Sequence, residues 1–176
     1  RMSGSVLTVV INSGSGNQGI TVSMPVIVYA QHLGASRERL IRALTISNLV
    51  AIHQKSKVGR LSAYCGAVSA AAGSGAAIAW LDGASHELIE LTISNTLANV
   101  SGILCDGAKP SCAAKIASAV EAALVGYSLA KKQRSFQPGD GIVKEGLEET
   151  ISAVGEIASK GMLQTDDEII RIMISE

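Results

Sequence analysis

Leu61 to Leu81 is a run of 21 residues without a charged side chain, and it leaves the chain few ways to fold. A stretch of that length can cross a bilayer as a helix. Its composition argues for another outcome, because only Leu61, Val68, Ile78, Trp80 and Leu81 are strongly apolar while Ala, Gly and Ser fill most of the rest. Small residues let neighbouring backbones approach closely, so the run reads as a buried core helix. Aromatic residues make up 3% of the sequence, with one Phe and one Trp. A core built from such small side chains suits packed helices better than sandwiched sheets. The 176 residues are enough for a single domain with a real interior.

Lys plus Arg and Asp plus Glu balance at 15 each. That balance argues against a nucleic-acid binder, which needs a surplus of cations on one face. Ser3 to Ser36 holds no charged side chain, so this N-terminal stretch expects to be enclosed. Residues 37–60 carry Arg37, Arg39, Arg42, Lys55, Lys57 and Arg60 against Glu38 alone, a local surplus that would attract a small anion. Half of all the charges fall after residue 130. Arg1 precedes Met2, and the start has no secretory signal pattern, so the sequence reads as an intracellular, cytoplasmic piece of a longer polypeptide.

Helical spacing dominates. Val6 to Ile11 is the one run with strand character, and the polar loop Asn12 to Gly19 follows it. Pro25 is expected in the first turn of a helix that Gly34 stops, and Ser36 is expected to cap the next. Leu40, Ile41, Leu44, Asn48 and Ile52 share one face of that second helix. A third helix is expected over Ser62 to Trp80 and a fourth over Ser85 to Leu104. Pro110 opens a fifth, with Cys112, Ile116, Val120, Leu124 and Tyr127 as its stripe. A linker from Gln133 to Gly141 separates residues 1–132 from a charged end, 140–176. There Val143, Leu147, Ile151, Val154 and Ala158 keep helical spacing, and Thr165 with Glu168 reads as a capping box. The expectation is an all-α bundle of six to seven helices in a single domain.

Three cysteines, Cys65, Cys105 and Cys112, carry the sharpest chemistry. An odd number without a secretory signal speaks against a disulfide framework. Two readings are open: inert small core residues, or metal-binding thiolates favoured by positions near helix ends. Three thiolates can hold a cubane iron-sulfur cluster with one iron open, whereas zinc wants a fourth ligand, and neither His53 nor His86 is spaced to supply it. Gly14-Ser15-Gly16-Asn17-Gln18-Gly19 formally matches a dinucleotide fingerprint, but no β-α alternation follows it. As a row of N–H groups at a helix start, the same loop suits a carboxylate. His53 is either structural or a proton carrier at neutral pH.

Taken together, Asn12 to Gly19, Ser47 to Lys55, Gly59 to Ala67 and Gly102 to Lys115 resemble the L-cysteine desulfidase family, a relative of the iron-sulfur-dependent L-serine dehydratase alpha chain. The resemblance extends through Asp140 to Lys144 and implies the C-terminal catalytic part of a longer lyase. It implies a [4Fe–4S] cluster on Cys65, Cys105 and Cys112, and elimination of L-cysteine, or alternatively L-serine, to pyruvate and ammonia, with hydrogen sulfide released from cysteine. Ser13, Gly14, Ser15, Gly16, Asn17 and Gln18 would bind the substrate carboxylate, Asn48 would orient the substrate, and His53 would take the α-proton with Lys55 in reserve. Dehydratase relatives can cap the open iron with a terminal cysteine, which the ending Met173-Ile174-Ser175-Glu176 does not offer. The expected partners are the amino-acid substrate and the N-terminal region of the same protein, with a homodimer left open and neither nucleic acid nor membrane involved. The competing class is a non-catalytic helical binding module.

Overall fold

The computed structural model describes residues 1–59 and 61–175. Arg60, one of the cations of the basic stretch, and Glu176 at the end lie outside the described residues. Among the described residues the architecture is all-α, with seven helices and no strand. These are α1 (Gly16–His32), α2 (Arg37–Val58), α3 (Gly66–Leu81), α4 (His86–Val100), α5 (Cys112–Lys131), α6 (Leu147–Glu156) and α7 (Leu163–Ile174), with a π-helical turn at Ile157–Gly161.

The charge-free run supplies the centre. Every residue of α3 except Trp80 is buried, and α1, α2, α4 and α5 all pack around it. Small residues make this enclosure possible: a side chain on Gly73 would collide with the Ser47 carbonyl of α2, and one on Gly75 would meet Ala123 of α5 at 2.9 Å. Since α3 occupies only 16 residues, the 61–81 run is not a membrane-length helix. Among the described residues α5 alone passes that test of length and composition, and it lies against α3 and α4.

Local signals place most boundaries. Ser36 accepts from the Arg39 N–H and Ser85 from the Leu88 N–H, each at 3.3 Å. Gly34, with φ +61°, ends α1 in a Schellman arrangement, Ala35 N–H donating to the Ala30 carbonyl at 2.9 Å.

Several expectations are corrected. Val6 to Ile11 forms no strand. The second half of the glycine loop is helical, because Ser15 caps α1 by accepting from the Gln18 N–H, and Pro25 therefore falls inside α1 rather than in its first turn. The third helix starts at Gly66 and the fourth ends at Val100, since Ala63–Cys105 and Cys65–Ile103 backbone bonds hold those segments extended. Thr165 lies within α7, whose cap position Met162 makes no side-chain bond, and Glu168 pairs with Arg171 instead. The buried faces of α2 and α5 are rotated from the stripes of large residues. Ala43, Ser47, Ala51, Gln54 and Val58 face the α2 interior, while Ile41 and Ile52 are about half exposed. On α5 the interior takes Ala119, Ala122, Ala123, Gly126 and Ala130 with Tyr127, and Leu124 stays outside. The closest packing selects the smallest residues. Of the stripe expected from Val143 to Ala158, Ile151 and Val154 are buried on α6, Leu147 is half-buried, Ala158 is buried in the π-helical turn, and Val143 is buried in the loop before α6 rather than in a helix.

Candidate functional site

A cleft of about 200 Å³ opens at the N-terminal end of α3. Its floor is a miniature antiparallel bridge between Tyr64 and Leu104. The Cys65 N–H donates to the Ile103 carbonyl at 3.0 Å, and the Cys105 N–H donates to the Ala63 carbonyl at 2.6 Å. This clamp sets the thiols of two distant segments against each other. Cys112, the first residue of α5, closes the wall and donates from its thiol to the Gly107 carbonyl at 3.4 Å. All three cysteines are free and line the cleft.

Cys65 and Cys105 shift each other in opposite directions. Its Cys65 neighbour brings Cys105 down to about 6, against the burial that would raise it, and the Gly107 N–H and the Lys115 ammonium assist. Cys105, with burial, pushes Cys65 upward. Lys115 stands one helical turn beyond Cys112, paired with Asp106 and donating to the Leu104 carbonyl at 2.9 Å.

The glycine loop forms the opposite wall. Asn12 and Ser15 exchange backbone hydrogen bonds at 3.1 and 3.0 Å, and Ser13 and Gly14 between them take φ of 49° and 81°. Successive left-handed residues turn their N–H groups outward as an anion-binding concavity. Among the described residues the amides of Ser13, Gly14, Gly16 and Asn17 find no partner. Gln18 reaches deeper: it is 6% exposed, its Oε1 has no hydrogen-bond partner, and its amide fills the space a side chain on Gly66 would need. Ser13, Gly14, Ser15, Asn17 and Gln18 line the cleft, whereas Gly16 starts α1 beside the Arg1 side chain.

The residues from α2 divide. Lys55 lines the cleft; burial lowers its pKa while Cys105 and Cys65 oppose that shift. Asn48 braces the loop from behind, its Oδ1 accepting from Asn12 Nδ2 at 2.9 Å. It does not line the cleft. His53 is not brought there either: its Nε2 stands 2.9 Å from the Glu148 carboxylate on an exposed face. Residues two apart on a helix point about 200° away from each other, so His53 and Lys55 cannot serve the same cavity. Lys115 was missed in the sequence, although its position three residues after Cys112 places both on one face of α5.

The donor set suits a cluster better than a single ion. Among the described residues no three Cys, His, Asp or Glu side chains converge closely enough to hold one metal ion. A cubane bonds its thiolates at separate irons and so wants sulfurs distributed around a cavity, as they are here. Lys55 and Lys115 beside them offset thiolate charge.

Over residues 1–171 the sequence matches the serine dehydratase alpha chain family. The chain belongs to that family. Curated relatives are described as UPF0597 proteins: one from Lachnoclostridium phytofermentans is 59% identical over 99% of this chain and 42% of its own length. Others from Desulfitobacterium hafniense and Treponema denticola are each 54% identical over 100% of this chain and 41% of theirs. The chain thus spans about two fifths of the relatives it matches. No solved structure matches it.

Proposed function

We propose that the cleft is the elimination site of an iron-sulfur-dependent lyase that converts L-cysteine to pyruvate, ammonia and hydrogen sulfide, with L-serine, the substrate in the family's name, as the alternative. The observation that carries this reading is the convergence of Cys65, Cys105, Cys112, the Ser13–Gln18 loop and Lys55 on one cavity. A [4Fe–4S] cluster on the three thiolates would supply Lewis acidity toward the departing sulfur or hydroxyl.

The chain's own groups account for the rest. The free amides of Ser13 and Gly14 and the start of α1 bind the substrate carboxylate, helped by the helix dipole. Lys55, as neutral amine, removes the α-proton, and its burial favours that form. The Cα–H electron pair becomes the Cα–Cβ double bond as the Cβ–S bond breaks, and sulfide leaves with that bond's electrons. The aminoacrylate so formed tautomerises and is hydrolysed to pyruvate and ammonia. Asn48 and Asn12 hold the loop in register, and Lys115 offsets the charge of the thiolates.

Anaerobic reconstitution with iron and sulfide is the test. A brown protein with about four irons that bleaches in air is expected, and replacing Cys65, Cys105 or Cys112 singly by Ser should abolish stable loading. A colourless, iron-free chain would leave the helical binding module as the better reading. Parallel assays of sulfide and pyruvate release from L-cysteine and L-serine rank the substrates.

A further inference from the structure

The segment Val6 to Ile11 bends at Leu7 and its second half lies over α1 and α2, yet among the described residues it is paired with nothing. Among the described residues it makes no backbone–backbone hydrogen bond; the Leu7 N–H reaches only the Ser5 hydroxyl at 3.3 Å. Val6, Leu7, Val10 and Ile11 are 97, 78, 83 and 64% exposed. The segment is nonetheless held in place. At Gly19 of α1 a side chain would overlap the Val10 carbonyl, so a glycine there admits the Val10–Ile11 backbone against the helix. A near-continuous run of Val, Leu, Thr and Ile is what a strand covered on both faces looks like. Left uncovered, such a run is an aggregation template that native proteins avoid presenting.

We propose that Val6–Ile11 is an interaction strand that pairs, by β-addition, with a strand from the part of the same polypeptide that relatives carry outside the matched stretch. That outside part is more than half of the Lachnoclostridium phytofermentans relative. It is large enough to supply both a pairing edge and a cover for the exposed faces. A second copy of this chain fits less well, since a two-stranded ribbon made from two such segments would leave both its faces open to water. The segment runs directly into the Asn12–Ser15 turn, so the pairing would also fix the substrate loop from its N-terminal side.

The test is amide hydrogen exchange at residues 6–11. It compares this chain alone with a full-length graft in which it replaces the matched stretch of the Lachnoclostridium phytofermentans relative. Strand addition protects every second amide by about a hundredfold or more in the graft and leaves all six fast in the chain alone. Should the graft misfold, the unmodified relative read at the aligned positions gives the same comparison. Equal, fast exchange in both forms would overturn the proposal. So would protection in the chain alone that grows with its concentration, which would mark a second copy as the occupant.

Discussion

The two ends of α3 are both polar, and they are built on opposite principles. At the C-terminal end Asp82 is fully partnered: the Tyr29 hydroxyl donates to it at 2.7 Å, the Tyr127 hydroxyl at 3.0 Å, and Lys131 stands 3.6 Å away. Burial works against the Asp82 charge, yet these donors hold its carboxyl below the usual carboxylate range, and burial together with Asp82 pushes the Tyr29 phenol up to about 12. At the N-terminal end the groups are left waiting: Gln18 Oε1 is buried without a partner, the loop amides are free among the described residues, and three free thiols line the cleft. A completed network ties α1, α3 and α5 together, whereas an incomplete one has capacity for a ligand. The same helix thus has one end whose polar groups are partnered and one whose polar groups are not.

The sharpest way to break this contrast is at Lys55. Lys55→Met keeps an unbranched apolar stem in the cleft wall and removes the proposed base. Turnover of the iron-loaded protein should fall by about 10²- to 10⁴-fold, while the melting temperature scarcely moves. Sulfide or pyruvate release, measured beside thermal unfolding, separates the two effects. A large loss of stability with undiminished turnover would show that the cleft end, too, is structural.

The thiol pair offers a second handle in the iron-free protein. Cys105 carries its charge above about 6, so its alkylation by iodoacetamide should drop about tenfold per pH unit below that point. The linkage has two limbs. Because Cys105 is lowered from 9.0, its contribution to stability is present above the unfolded value and is lost as pH falls from there through about 6. Cys65 is raised from the same value, so its contribution is present below 9.0 and declines as pH rises beyond it. Between them the pair favours the folded state most near the ordinary thiol pKa. A flat alkylation profile between pH 5 and 7, values that bracket the shifted group, would deny the lowering of Cys105.

At the other end Asp82→Asn should cost about 2 kcal/mol, because two hydroxyl donors and a cation lose their charged acceptor. For a chain of this length that is a fall of about 4–8 °C in Tm. Iron loading and turnover at the cleft should be unchanged. Loss of loading at a temperature where the variant is still folded would mean that the two ends are coupled through α3.

How much of this was legible beforehand follows from side-chain size. The cap at Ser36 and the stop at Gly34 are local signals and are where the residues indicate, and the central helix is present but starts at Gly66 rather than Ser62. The buried faces of α2 and α5 are not readable from hydrophobicity, because α3 is so narrow that its neighbours turn Ala and Gly toward it and leave Ile41, Ile52 and Leu124 at the rim. In the cleft, the three cysteines and the loop were visible as motifs, and their convergence was expected only from the family resemblance. It depends on the Tyr64–Leu104 bridge, a pairing between segments that no periodicity announces. Val6 to Ile11 has a strand's composition and no partner within the described residues, so sequence and fold disagree where a neighbour is needed.

His53 marks the limit of reading a helix residue by residue, and it carries the smallest expected effect. Sequence proximity makes it as good a base as Lys55, but a helix turns the two to different sides, and His53 meets Glu148 of α6 on the surface. An exposed pair of this kind is worth at most about 1 kcal/mol. His53→Gln retains a hydrogen-bonding side chain toward Glu148 and removes the titrating ring, so it should leave turnover within about twofold and stability within about 0.5 kcal/mol. Steady-state kinetics on the loaded protein decides the point. A drop in turnover comparable to that of Lys55→Met, with the fold intact, would require α2 to rotate or shift in the working enzyme, and the base would then have to be reassigned to the histidine.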